Sequence, residues 1–131
     1  MTGLDTNVLV RYIMQDDAVQ AAKATALVET LDADRPGFVA VVSIVELYWV
    51  LTSCYGLTGS QVMQALEILL RTKEIVVDQA EQVLRALRAC AGGKADFADC
   101  LIERTAAAAG CTRTVTFDTT AVRHAGMTLL R

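Results

Sequence analysis

The chain has 131 residues, of which 53% are hydrophobic and 21% charged, and this balance excludes an intrinsically disordered protein. The length predicts a single domain over residues 1–131. The chain has no long apolar run and no basic segment before a hydrophobic one, so we expect neither a membrane span nor a secretory signal. We therefore expect a cytoplasmic location. A net charge of −3 excludes a broad basic surface for nucleic acid, so any RNA contact must be local or carried by metal ions.

Short β-branched segments alternate with longer helical patterns along the chain, which predicts an α/β fold with a mostly parallel sheet of four to five strands flanked by helices. The predicted strands are Gly3–Leu4, Gly37–Val42, Glu74–Val77, Thr112–Thr116 and Gly126–Leu130. The predicted helices are Thr6–Met14, Ala18–Leu31, Ser43–Cys54, Thr58–Arg71, Gln79–Ala91 and Asp96–Ala109.

Two helical stretches are amphipathic. Apolar residues recur at helical spacing in the series Val62, Leu66, Leu69 and Leu70, and again in the series Val83, Leu84 and Leu87. Such a stripe packs either on the sheet or on a second subunit, and the first interpretation is the more frequent one.

The cysteines show neither zinc-ligand spacing nor a disulfide framework, because no Cys-x-x-Cys occurs and the chain has a single histidine. We therefore expect Cys54, Cys90, Cys100 and Cys111 to be buried thiols. We expect His124 to be a surface or dimer residue and not a general base, although its usual pKa range would suit one.

Four carboxylates stand where a predicted strand ends or a helix begins. They are Asp5, Glu46, Asp99 and Asp118. In open α/β sheets this edge is where ligands bind, so the parallel sheet is expected to bring several carboxylates into one pocket.

Each acid also has a purely structural interpretation. Ser43 and Glu46 fit a capping box, in which the serine caps a helix and the glutamate reaches back to it. Asp96 is well placed as a helix N-cap with a possible metal role, and Asp118 could simply form a turn.

The stretch from Asp96 to Ala108 divides into two faces on a helix. Asp96, Asp99 and Glu103 fall on one face, opposite an apolar face of Phe97, Ala98, Leu101, Ile102 and Ala108 that we expect to enter the core. Three acids on one face repel one another unless water or a cation screens them, so the alternatives are a solvated acidic face and a cation site.

A cluster of carboxylates without nearby histidine or cysteine selects hard cations such as Mg²⁺ or Mn²⁺. Such ions complete their coordination shell with water and substrate phosphates, and they can activate water for phosphodiester hydrolysis. The sequence therefore favours a metal-dependent enzyme acting on phosphodiester bonds. Lys94 and Arg113 are weak candidates for contacts to flanking phosphates, because isolated surface cations are usually only solvated.

Four short segments, in this order, resemble the PIN-domain family and, more narrowly, its VapC-like toxins. They are Leu4-Asp5-Thr6-Asn7-Val8-Leu9, Ser43-Ile44-Val45-Glu46-Leu47, the run from Ala95 to Ile102, and Thr116-Phe117-Asp118. The resemblance spans nearly the whole chain, and Glu103 departs from it, since the family commonly has a small residue there.

The resemblance implies a PIN-like fold and an endoribonuclease that holds Mg²⁺ or Mn²⁺ through Asp5, Glu46 and Asp99, with Asp118 as the fourth catalytic acid. It also implies supporting polar roles for Asn7, Ser43 and Thr116. Family members of this size are typically toxins that cleave RNA, are silenced by a cognate VapB-like antitoxin protein, and form homodimers.

Two other functions compete with this one. A catalytically silent PIN-like module would bind RNA or a protein without cutting, and the loss of an acid would favour it, whereas all four positions are filled here. A phosphatase or phosphotransferase with an aspartate nucleophile would usually carry a second Asp two residues after the first, where this chain has Asn7.

Overall fold

The computed structural model describes all residues from Met1 to Arg131 and divides the chain into two compact units, Met1–Asp78 and Gln79–Arg131. Every strand pairing in the structure is parallel, which confirms the predicted α/β class. The five strands pair as a set of three and a set of two. No helix has both the length and the apolar composition needed to cross a bilayer.

The first unit places a three-stranded parallel sheet among four helices. Its elements in chain order are β1 (Thr2–Gly3), α1 (Thr6–Met14), α2 (Ala18–Glu29), β2 (Gly37–Val39), α3 (Val41–Trp49), α4 (Gly59–Arg71) and β3 (Ile75–Val77). The central strand β2 pairs with β1 on one side and with β3 on the other. The Leu4 N–H donates to the Phe38 carbonyl at 2.8 Å, which fixes the chain immediately before Asp5.

The core of this unit is built from the apolar periodicity of its helices. Its fully buried side chains include Leu9, Val39, Ile44, Leu47, Leu51, Val62 and Leu66. Val62, Leu66 and Leu69 of α4 are all buried, so the core interpretation of that amphipathic stripe is supported.

The middle of the first unit corrects two predictions. The strand predicted over Gly37–Val42 stops at Val39, and α3 begins at Val41 with Ala40 as an N-cap that offers no side-chain hydrogen bond. Ser43 therefore lies inside the helix, and the predicted Ser43–Glu46 capping box is wrong. The unit does contain a capping box, formed by Thr58 and Gln61 at the start of α4.

The predicted helix Ser43–Cys54 does not continue as one regular helix. Residues Val50–Cys54 form a π-helical turn, closed by a hydrogen bond from the Tyr55 N–H to the Val50 carbonyl at 3.2 Å. Such turns carry one extra residue per bond and often mark functional sites.

The second unit consists of α5 (Ala80–Cys90), α6 (Phe97–Ala108), β4 (Val115–Thr116), α7 (Thr119–His124) and β5 (Thr128–Leu129). Helices α5 and α6 pack against each other, and Val83, Leu87, Cys100 and Leu101 are buried. Strands β4 and β5 pair in parallel within the two segments predicted as strands, and α7 between them was not predicted.

Two expectations about burial fail. Cys90 and Cys100 are buried as expected, but Cys54 and Cys111 are exposed. The apolar face expected on α6 is only partly buried, because Ile102 is 55% exposed and Ala108 is also exposed.

Candidate active site

Asp5 caps the helix that follows the first strand. It has extended backbone geometry, and its Oδ1 accepts a hydrogen bond from the Thr6 N–H at 2.7 Å. An aspartate at this position satisfies one of the free N–H groups at the start of α1. Its Oδ2 accepts no hydrogen bond within the protein and the residue is exposed, so one carboxylate oxygen is available to a ligand.

Glu46 reaches the same place from α3. It lies in the second turn of that helix, its side chain is exposed, and it makes no hydrogen bond or ion pair. Asp5, Asn7 and Glu46 line one pocket of about 380 Å³, which we call the acidic pocket. The structure thus brings together three of the predicted site residues, whereas Ser43 does not line this pocket.

Thr6, whose hydroxyl group is buried without a partner, also lines the acidic pocket. Thr6 is only 5% exposed, and its Oγ1 has no hydrogen-bond partner. A buried polar group left unpaired costs about 1–3 kcal/mol, so such groups usually meet a water, an ion or a ligand. Thr6 was not among the site residues predicted from sequence, although its place between Asp5 and Asn7 was a usable signal.

One wall of the acidic pocket carries a hydrogen-bonded network that the sequence analysis missed. The Arg11 guanidinium donates to Asp16 Oδ1 at 3.1 Å and to the Tyr55 hydroxyl at 3.1 Å, and the Tyr55 hydroxyl donates to Asp16 Oδ2 at 2.7 Å. The hydrogen bond from Tyr55 lowers the pKa of Asp16, and the hydrogen bond to Asp16 raises the pKa of Arg11. The network therefore holds the Arg11–Asp16 ion pair at the pocket wall.

The second unit holds the remaining predicted acids. Asp96 caps α6, its Oδ1 accepting from the Asp99 N–H at 2.9 Å, which confirms its predicted capping role. The carboxylate of Asp99 itself accepts no hydrogen bond. Partial burial raises the pKa of Asp99, and the negative charges of Asp96 and Asp118 raise it further.

Asp118 caps α7. Its Oδ1 accepts from the Thr120 N–H at 2.8 Å and from the Ala121 N–H at 3.4 Å. Thr116 precedes it, and the Thr116 hydroxyl oxygen accepts from the Asp118 N–H at 3.0 Å. These hydrogen bonds fix the backbone N–H and one carboxylate oxygen of Asp118 and leave its Oδ2 without a hydrogen bond.

The other charged residues considered from sequence form none of these hydrogen bonds. Glu103 forms an ion pair with its neighbour Arg104 at 3.1 Å, and its side chain is 17% exposed, so it is not fully solvated. Lys94 and Arg113 are exposed and form no ion pair, and His124 is half-buried in the last turn of α7.

The oxygen donors in each unit are of the chemical type that a hard divalent cation prefers. Within neither unit do three or more His, Cys, Asp or Glu side chains form a group able to hold a metal ion. However, the first unit offers free carboxylate oxygens in the same pocket lining as Thr6 with its unpaired hydroxyl. The second unit offers the Asp99 carboxylate, whose pKa is raised by burial and by the negative charges of Asp96 and Asp118. Oxygen donors with uncompensated negative charge are the ligands that Mg²⁺ and Mn²⁺ prefer.

A comparison with protein families finds that the PIN domain matches residues 4–127. The chain therefore belongs to the PIN domain family, which has a nuclease-type fold, generally acts as a nuclease and usually uses divalent metal ions. No curated protein matches the chain. No solved structure matches it either.

Proposed function

We propose that this PIN domain, spanning residues 1–131, is a metal-dependent endoribonuclease and the toxin of a bacterial toxin–antitoxin pair. The observation that carries the nuclease proposal is the acidic pocket, which Asp5, Glu46 and Asn7 line together with Thr6, whose buried hydroxyl has no hydrogen-bond partner. The family match supports RNA as the substrate.

Asp5, Glu46 and Asp99 are the proposed ligands of Mg²⁺ or Mn²⁺, and Asp118 is the proposed fourth catalytic acid. When bound, the ion neutralises phosphate charge and lowers the pKa of coordinated water. Asp5 and Asp118 are suited to this role because each uses one oxygen to cap a helix, which fixes the carboxylate, and leaves the other oxygen free.

The supporting residues orient these acids. The Thr116 hydroxyl fixes the backbone of Asp118, and Asp96 fixes the first turn of α6, from which Asp99 projects. Asn7 supplies an amide to the acidic pocket beside Asp5. We assign Ser43 a supporting role from the family resemblance alone.

The test is cleavage of a mixed pool of single-stranded RNA by the purified protein in Mg²⁺ or Mn²⁺, with EDTA as the metal-free control. Double-stranded DNA serves as a comparison substrate. Asp99→Asn is the active-site variant, and Asp34→Asn is its matched control, because Asp34 is an exposed aspartate that lines neither described pocket.

We expect metal-dependent cuts in RNA that persist in Asp34→Asn and disappear in Asp99→Asn. Failure of the folded wild-type protein to cut RNA in either metal would overturn the nuclease proposal. Binding of RNA without cutting would then favour the silent binding module.

The toxin proposal has its own test, which is growth of a bacterial host expressing the chain. We expect wild-type protein, acting in the cytoplasm of the host, to arrest its growth. Asp99→Asn at the same protein level should leave growth normal.

Co-expression of a small protein encoded beside this chain should restore growth and yield a complex, and the free toxin should form a homodimer. Normal growth with active wild-type enzyme would contradict the toxin role while leaving the nuclease intact.

A further inference from the structure

A second pocket of the first unit opens between helices α1 and α2. It has a volume of about 270 Å³, and its polar lining comes from Asn7, Arg11, Gln20 and Lys23. Ala24 and Leu27 give it an apolar floor. We call it the α1–α2 pocket.

The α1–α2 pocket adjoins the acidic pocket, because Asn7 and Arg11 line both. These two residues stand one turn apart on the same face of α1. A chain molecule bound with one group in the acidic pocket can therefore extend along α1 into the neighbouring pocket.

The two pockets differ in charge. The acidic pocket contains Asp5 and Glu46, whereas no carboxylate lines the α1–α2 pocket. The charge of Arg11 is largely taken up by Asp16, and its Nε donates to Gln20 at 2.7 Å. Lys23 is exposed and forms no ion pair, so it is the free cation of the α1–α2 pocket.

We propose that the α1–α2 pocket is a subsite for the nucleotide next to the scissile phosphate of single-stranded RNA. This inference rests on the proposed function. Lys23 contacts the phosphate of that nucleotide, and Ala24 and Leu27 take the apolar face of its base or ribose. Two observations favour this occupant: the unpaired charge of Lys23 complements a phosphate, and the pocket shares Asn7 and Arg11 with the adjoining acidic pocket.

The size and chemistry of the pocket restrict the substrate further. Its volume lies just below the range of about 300–1,000 Å³ typical of small-molecule sites, which suits a single nucleotide. Bases can enter such a pocket only when they are free of a duplex, and single strands are the usual targets of RNA-binding proteins that read bases.

The first test is the kinetics of cleavage of one fluorescent single-stranded oligoribonucleotide at several salt concentrations. The variants are Lys23→Gln and the matched control Lys73→Gln, since Lys73 is also an exposed lysine of the first unit and lines neither pocket. We expect Lys23→Gln to raise KM about three- to tenfold, because one phosphate contact is lost. For the same reason, the slope of log KM against log salt concentration should fall by about one. Its kcat and the KM of Lys73→Gln should stay near wild-type values.

Equal KM values for wild type and Lys23→Gln would overturn the inference and leave the nuclease standing, as would equal losses in both lysine variants. Absence of cleavage by wild type would instead count against the proposed function.

The second test needs no cleavage. Methyl NMR spectra of the metal-free protein in EDTA are titrated with the same oligoribonucleotide, and separately with an acidic peptide. The inference predicts that RNA shifts the Ala24 and Leu27 methyl signals and that Lys23→Gln weakens this effect. Shifts caused by the peptide and not by RNA would overturn it and identify the pocket as a peptide site.

Discussion

The two units hold their candidate acids in different chemical settings. In the first unit, Asp5 and Glu46 share a pocket with the cation Arg11 and the unpaired Thr6 hydroxyl. In the second unit, Asp99 is partly buried beside the negative charges of Asp96 and Asp118, which raise its pKa. The first setting offers contacts for a substrate, whereas the second carries repulsion that a bound cation would relieve.

The largest expected effect is on the stability that a bound metal ion adds to the protein, and it tests the role of Asp99 in the second unit. Asp99→Asn should be at least as stable as wild type in EDTA, because the neutral amide removes the cost of partly burying a charge and the repulsion with Asp96 and Asp118. Saturating Mn²⁺ should stabilise wild type, by about 2.7 kcal/mol at a hundred times its Kd, and should stabilise Asp99→Asn far less. Thermal unfolding with and without Mn²⁺ measures both quantities.

Asp34→Asn is again the control and should respond to Mn²⁺ like wild type. A metal-free Asp99→Asn protein that is clearly less stable than wild type would show that Asp99 is a structural residue. An unchanged Mn²⁺ response would remove it from the proposed metal ligands.

The next effect concerns Asp5, which both caps a helix and lines the acidic pocket. Asp5→Asn keeps a good N-cap and loses the charge, whereas Asp5→Ala loses both. We expect cleavage to fall about 100-fold in both variants, and the free energy of unfolding in EDTA to fall by about 1 kcal/mol only in Asp5→Ala. Cleavage rates and urea unfolding decide this, and full activity of Asp5→Asn would show that capping is the only role of Asp5.

A smaller effect is expected at Thr6. Thr6→Val keeps the shape of the side chain and removes the buried unpaired hydroxyl. The metal-free protein should become more stable by about 1 kcal/mol, and cleavage should fall about tenfold if the hydroxyl meets the bound ion, its water or the substrate. Thr6→Ser, which retains the hydroxyl, should cleave faster than Thr6→Val, and equal rates in the two variants would show that the hydroxyl has no part in the reaction.

Sequence periodicity predicted most of the helices but failed where tertiary structure decides. Helix α1 has the predicted bounds, Thr6–Met14, because it is capped by Asp5 and has a regular apolar face. Helix α7 was missed because six residues are too few to show a period. Strand β2 was predicted too long because Val41 and Val42 are β-branched, although the chain has already turned into α3 there.

The candidate site was predictable only where it follows from the positions of the strands and helices. Asp5, Asn7 and Glu46 follow strand ends, and strand order brings their elements together in the first unit. Arg11 could have been found, because it lies four residues after Asn7 on the same helix face. The contact of Tyr55 with Arg11 and Asp16 was not predictable, since Tyr55 directly follows a π-helical turn that no sequence pattern indicated.

The smallest expected effect concerns the two exposed cysteines, which should react with a thiol reagent while the two buried cysteines do not. N-ethylmaleimide at about pH 7 should label Cys54 and Cys111, and should spare Cys90 and Cys100, which are buried. Burial also raises the pKa of Cys100 to about 11, so it has almost no thiolate at that pH. Mass spectrometry of the labelled native protein counts the sites.

Only the first of the two labelled cysteines lies in a candidate pocket, because Cys54 lines the acidic pocket beside Glu46 and Tyr55. Labelling should therefore slow RNA cleavage in wild type and in Cys111→Ser, because the added group narrows the acidic pocket. The loss should be smaller than the tenfold loss expected for Thr6→Val, because labelling removes no carboxylate. Cys54→Ser should be labelled at Cys111 alone and keep its rate. An equal loss in Cys54→Ser would show that the effect of labelling does not arise at the acidic pocket.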